Sequence, residues 1–136
     1  MSNITQVVNV DKNMTTLKKG VIASGLNKKL SERGPFTIFA PTDKAFEKLD
    51  KKVLEDLLKP ESKAKLTDLL NHHVVEGKIA FKDLKDGEKL KALDGMELHV
   101  HVKEGTVSVG GSTIEAHDVE TSNGMIHSVG TVVTKT

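Results

Sequence analysis

Most of the acid–base and ligand chemistry open to this chain rests on six histidines, at positions 72, 73, 99, 101, 117 and 127. His99 and His101 flank Val100. That spacing puts two imidazoles on one face of a strand, where a pair of histidines can chelate a transition metal. His117 could complete such a site from another strand, but no glutamate and third histidine stand at oxygenase-like distances. A solvated sheet face with Glu97 and Lys103 is the favoured reading, so no metal or other cofactor is assigned. His72 and His73 follow an apolar helical stripe. At a helix end an imidazole can satisfy free carbonyls. His73, and His127 in the last strand, are expected to be buried and hydrogen bonded.

Other reactive constellations are missing. There is no cysteine, which excludes a disulfide framework, a thiolate metal site and a cysteine nucleophile. Ser24, Ser108, Ser112 and Ser128 lie in no Gly-x-Ser-x-Gly elbow. Glu55 and Asp56 fall on a solvated helix face. Gly110-Gly111 is too isolated for a phosphate loop. The chain is therefore not expected to be an enzyme.

The elements that position these residues follow from periodicity. Met14, Leu17, Val21, Ile22, Leu26 and Leu30 recur at helical spacing over residues 13–32, with Asn13 as N-cap and Gly25 as a break or cap. Phe36–Ala40, bounded by Pro35 and Pro41, reads as a buried strand. Phe36, Ile38 and Phe46 serve one apolar region and Phe39 is assigned to the opposite strand face. Thr42 caps a helix through Ala45, Phe46 and Leu49, with Asp43 at its positive end. Val53, Leu54, Leu57 and Leu58 form a stripe ended by Pro60; Leu66, Leu69 and Leu70 predict a helix over 62–72. The period then changes to two. Val74-Val75 begins a strand, and residues 88–93 and 96–103 flank the Asp94-Gly95 hairpin signal. Strands follow at 106–109, 112–116 and 125–133. Helices first and short antiparallel strands after them indicate an α+β fold or a helix-decorated sandwich.

At 136 residues, 37% hydrophobic and 29% charged, the chain has the size and composition of one globular domain, assigned here to residues 1–136. Aromatics amount to four Phe, so stacking platforms for nucleic acid are nearly absent. Residues 1–65 hold 13 basic and 8 acidic side chains and the rest 7 and 11, a mild dipole. No Lys/Arg run resembles a nucleic-acid footprint. No apolar run approaches the ~20 residues of a membrane span. Met1–Gln6 does not read as a signal peptide, which leaves a cytoplasmic chain or a mature form open.

Three stretches carry a family resemblance. Phe36-Thr-Ile-Phe-Ala-Pro-Thr-Asp-Lys-Ala-Phe-Glu-Lys-Leu49 resembles the first signature of fasciclin domains. Leu69-Leu-Asn-His-His-Val-Val-Glu-Gly-Lys78 resembles their central tyrosine–histidine segment, and Ser122-Asn-Gly-Met-Ile-His-Ser-Val129 their closing signature. In order, they span nearly the whole chain, residues 2–134. His72 stands where the family has tyrosine, and Glu76 where proline is common. The resemblance implies a wedge-shaped two-sheet β-sandwich with several helices packed along one edge, in a single-domain, microbial type of member. It implies a non-enzymatic cell-adhesion or matrix-type domain, secreted, periplasmic or at the cell surface. Its partner would be a protein or polysaccharide, with no nucleic acid, and the chain is expected to be a monomer. By the same resemblance, His72 and His73 match a segment linked to adhesion. Asp118 and Val119 match an acid–apolar recognition pair, expected on an exposed turn, whereas the residues by themselves favour Asp118 as a turn cap before Ser122-Asn123-Gly124.

Overall fold

The computed structural model describes residues 3–12, 14–32, 35–48, 51–93 and 95–132, without the side chains of Val53, Pro60, Ala116, His117 and Asp118. Asn13, Leu49, Asp94 and Val133, each named for the elements above, lie outside the described residues.

Among the described residues six α-helices precede β2: α1 (Ile4–Val10), α2 (Thr15–Ser24), α3 (Leu26–Lys29), α4 (Asp43–Glu47), α5 (Lys51–Leu57) and α6 (Lys63–Asn71). Strand β1 (Phe36–Pro41) interrupts them. Then come β2 (Val74–Glu76), β3 (Lys89–Lys91), β4 (Glu97–Lys103), β5 (Thr106–Val109), β6 (Ser112–Thr121) and β7 (Gly124–Val129).

Helix boundaries follow local chemistry. Gly25 closes α2 in the left-handed region at φ 79°, where a side chain would be strained. Thr42 Oγ1 accepts from the Ala45 amide, capping α4 as its sequence indicates. Asp43 does more than favour its own helix. Its carboxylate accepts from the Thr16 amide at 2.8 Å and the Thr15 hydroxyl at 2.7 Å, capping α2 from across the chain. Burial pushes the Asp43 carboxyl up, but these hydrogen bonds outweigh it and hold the group below its ordinary value. The apolar stripe of α2 is narrower than its spacing predicts: Met14, Leu17 and Val21 are buried, whereas Ile22 is 54% exposed.

The strands form one continuous seven-stranded sheet in the order β2-β1-β7-β6-β5-β4-β3. This corrects the expected two-sheet sandwich. Strand β6 pairs with β5 through Ser112 and Thr113 and with β7 from Ile114 to Thr121. Its register shifts between Ile114 and Ala116 and again before Val119; such irregularities bend a strand. The sheet curls until Val75 of β2 bridges to Ala92 beyond β3, nearly closing a barrel. Neighbouring strands are antiparallel except β1 and β7, which run parallel from Phe36↔Gly124 to Pro41↔Val129.

Two cores result. Phe36, Ile38 and Ala40 pack with α1, α2, α6 and Ile126 on the helical side; Phe39 packs with Leu90, Leu98, Val100, Val107 and Val109 inside the curl. The outer face of β2-β1-β7 is thus covered by helices. The outer face of β3-β4-β5 is bare, its side chains from Lys89 to Thr106 exposed and only Ser108 half-buried.

One side chain ties the two ends of the described chain together. Asn123, between β6 and β7, is buried. Its Nδ2 donates to the Leu30 and Glu32 carbonyls at 2.6 and 2.7 Å. Its Oδ1 accepts from the Ile4 amide at 3.0 Å and the Thr121 hydroxyl at 3.3 Å.

Candidate functional site

The central histidines belong to the packing. Phe39 of β1 is registered with His127 of β7, and its amide donates to the His73 carbonyl at 2.8 Å. Strands β1 and β7 and the residue just before β2 therefore bring Phe39, His127 and His73 to one level. His73 and His127 are fully buried and His72 nearly so. A carbonyl only accepts, so His73 Nδ1 carries the proton it gives to Leu69 O at 2.7 Å. His127 Nε2 likewise donates to Ile79 O at 2.7 Å. The Phe39 ring stacks on His127 at 5.7 Å, and His72 meets His73 edge-on at 6.5 Å. One imidazole fastens the last turn of α6 to β2. The other holds the Ile79 backbone over the end of the curled sheet, where Thr37 Oγ1 also donates to Gly77 O and accepts from the Ile79 amide.

Asp118 and Val119 do not form the expected turn. They lie within β6, because Val119, Glu120 and Thr121 pair with Ile126, Met125 and Gly124. The Asp118 side chain lies outside the described residues. Val119 is 41% exposed, and its neighbour Glu120 pairs with Lys78 at 3.6 Å. Strands β1 and β7 separate this region from β2, so the structure does not bring His72 and His73 to Val119.

His99 and His101 stand exposed on the bare outer face of β4, together with Glu97 and Lys103. Lys89 of β3 is registered with His99, and Ser108 of β5 with His101. The His117 side chain lies outside the described residues. Among the described residues no three His, Asp or Glu side chains gather to hold a metal.

Sequence reading missed a cleft of about 410 Å³ between the α2–α3 junction and α6. Leu26 and Leu93 supply its apolar lining, and Lys29, Thr67, Asn71 and Glu76 its polar one. Residues of α2, α3, α6, β2 and the segment after β3 build it, so no local pattern announces it.

The geometry agrees with what comparison with known proteins finds. The family model for the fasciclin domain matches residues 12–135. Protein sll1483 of Synechocystis is 42% identical over 130 residues, covering 96% of this chain and 72% of that protein. The transforming growth factor-beta-induced protein ig-h3 of Sus scrofa is 34% identical over 93% of this chain, which spans only 18% of that larger protein. The solved FAS1 domain pair of the insect cell adhesion molecule Fasciclin I superposes with a TM-score of 0.88 at 19% identity, over 98% of this chain and 51% of that one.

Proposed function

The chain belongs to the fasciclin domain family, and we propose that it is a non-enzymatic binding domain, attaching to proteins or polysaccharides at a cell surface. The reading places it outside the cytoplasm, as a single domain acting as a monomer. No helix among the described residues is long and apolar enough to cross a membrane. Adhesion is the stated role of the insect protein whose domain pair shares this fold.

The observation that carries the reading is the strip of β6 around Val119. The Val119 side chain is left 41% exposed, just past a register shift that turns the strand, while Glu120 pairs with Lys78 from the opposite face. Strand irregularities of this kind re-aim side chains next to functional sites. In this reading Val119 supplies an apolar contact to the partner.

The test immobilises the protein and measures adhesion of cells or matrix taken from its own source. Asp118→Ala and Val119→Glu are expected to weaken adhesion several-fold. An exposed substitution typically changes stability by about 0.5 kcal/mol or less, so the melting temperature should hold within a few degrees. Lower stability with adhesion intact would refute this surface.

A further inference from the structure

We infer that Asn123-Gly124 is a chemical modification site that the fold keeps silent: once this segment opens, Asn123 deamidates, and the product cannot rebuild the native contacts. The inference is independent of the β6 surface proposed above.

Two separate packing demands create the site. Asparagine is needed at 123 because its carboxamide serves four groups at once. It donates to the Leu30 and Glu32 carbonyls and accepts from the Ile4 amide and the Thr121 hydroxyl. Glycine is needed at 124 because β1 crowds it. A Cβ there would stand 1.8 Å from the Phe36 carbonyl oxygen and 2.9 Å from the Phe36 nitrogen. Each choice serves the fold, but together they spell Asn-Gly. That is the asparagine sequence most prone to deamidate, because a residue without Cβ leaves its amide nitrogen unshielded and its backbone free to turn. Of the six asparagines, Asn123 alone precedes a glycine.

The reaction needs only water and base. The Gly124 amide nitrogen, having given its proton to base, attacks Asn123 Cγ. A nitrogen–carbon bond forms, the Cγ–Nδ2 bond breaks, and Nδ2 leaves as ammonia with a proton from solvent. Water then opens the cyclic imide. Addition at Cγ leaves aspartate. Addition at the main-chain carbonyl carbon leaves isoaspartate, with the backbone routed through the former side chain. No oxidant or reductant takes part.

In the folded protein both reacting groups are held. Cγ cannot turn toward Gly124 without giving up hydrogen bonds to Ile4, Leu30 and Glu32. Gly124 is registered between Thr121 of β6 and Phe36 of β1, and the Asn123 carbonyl accepts from the Phe36 amide at 2.9 Å. Asn123 is also buried away from water and base. Its reaction therefore follows the fraction of molecules in which the segment is open, less than about 1 in 1,000 for a stable domain. The products do not fit the space they came from. Aspartate sets a carboxylate against the Leu30 and Glu32 carbonyls and offers neither an N–H. Isoaspartate lengthens the main chain by one carbon where β6 turns into β7, which displaces the pairing with Phe36. Prolonged opening thus becomes one-way, and the residue marks how long a molecule has spent open.

The test incubates the full chain at pH 8 with and without denaturing guanidinium. Asn123 is followed by peptide mass spectrometry and by labelling with an isoaspartyl methyltransferase. Unfolded, Asn123 should deamidate well ahead of Asn3, Asn9, Asn13, Asn27 and Asn71. Folded, it should react at least about 100-fold more slowly. The double variant Asn3→Ala/Gln6→Ala removes the capping box of α1 and leaves Asn123-Gly124 itself unchanged. It should speed the folded-state reaction several-fold, because the helix that supplies the Ile4 amide then opens more often. On return to buffer, chains carrying isoaspartate should stay unfolded or melt several degrees lower, while undamaged chains from the same sample recover the native melt. Equal rates folded and unfolded, an Asn123 that survives in guanidinium, no acceleration by the cap variant, or isoaspartate chains that regain the native melting temperature would each overturn the inference. None of these readouts involves adhesion, so failure here is distinguishable from failure of the β6 surface.

Discussion

Replacing Asn123 with alanine should cost this protein about 3–5 kcal/mol, although the residue sits in a two-strand connection. The magnitude follows from its four hydrogen bonds. Ile4, Leu30 and Thr121 are buried, so water cannot readily replace the amide that serves them. A stranded buried group costs about 1–3 kcal/mol, and an ordinary lost bond about 1. The loss would be a large part of the roughly 5–15 kcal/mol that holds a domain folded. Urea melts followed by circular dichroism give the number. Asn123→Asp sharpens the test, because it preserves shape and the Oδ1 acceptor but loses both N–H donors to Leu30 and Glu32. At pH 7 it should be at least as unstable as the alanine variant. Its carboxyl faces two carbonyls, so its folded pKa is expected above the unfolded value. It should therefore regain stability relative to alanine as pH falls and a proton restores one donor. A loss below about 1 kcal/mol for Asn123→Ala, or an aspartate variant equal to wild type at pH 7, would refute the reasoning.

The Asp43 cap of α2 should be worth about 1–2 kcal/mol at neutral pH, read as the stability difference between wild type and Asp43→Ala. Because the folded carboxyl sits below its ordinary value, that contribution is present above the unfolded value of about 3.9 and is lost as pH falls through the folded one; a difference that grew in acid would contradict the assignment. A Cβ on Gly124 would lie 1.8 Å from the Phe36 carbonyl oxygen, so Gly124→Ala should cost at least about 3 kcal/mol in a urea melt. Gly20→Ala meets only Leu70 and Leu66 side chains at 3.5–3.6 Å and should stay within about 1 kcal/mol of wild type, since helix propensity favours it.

Much of the helical half is legible in the sequence, because apolar spacing and capping residues act locally. Gly25, Thr42 and the alternation from Leu98 to Val102 each announce their role. Helix α1 does not. Ile4, Thr5, Val7, Val8 and Val10 are β-branched, a composition more typical of strands. The helix depends on a capping box between Asn3 and Gln6 and on docking against Asn123. Asn123 itself reads as an ordinary turn residue, since its four partners are remote except for Thr121. The parallel pairing of β1 with β7 is equally hidden, because register between distant segments is a property of the assembled sheet. At the candidate surfaces, the outward alternation of His99 and His101 is plain from period two. The strand around Val119 is not, because its pairing depends on two register shifts.

The β1–β7 pairing has a consequence for how the protein is made. A ribosome releases Phe36–Pro41 long before Gly124–Val129, the strand that must lie beside it. Until then β1 can gain β2 on one side, while its other edge presents open amides and carbonyls along Phe-Thr-Ile-Phe-Ala. Long-range pairing closes slowly, and an apolar open edge invites association with other chains. The nascent chain therefore carries its stickiest segment unguarded through most of translation. Chaperone demand should track the delay before β7 emerges more closely than the final stability of the fold.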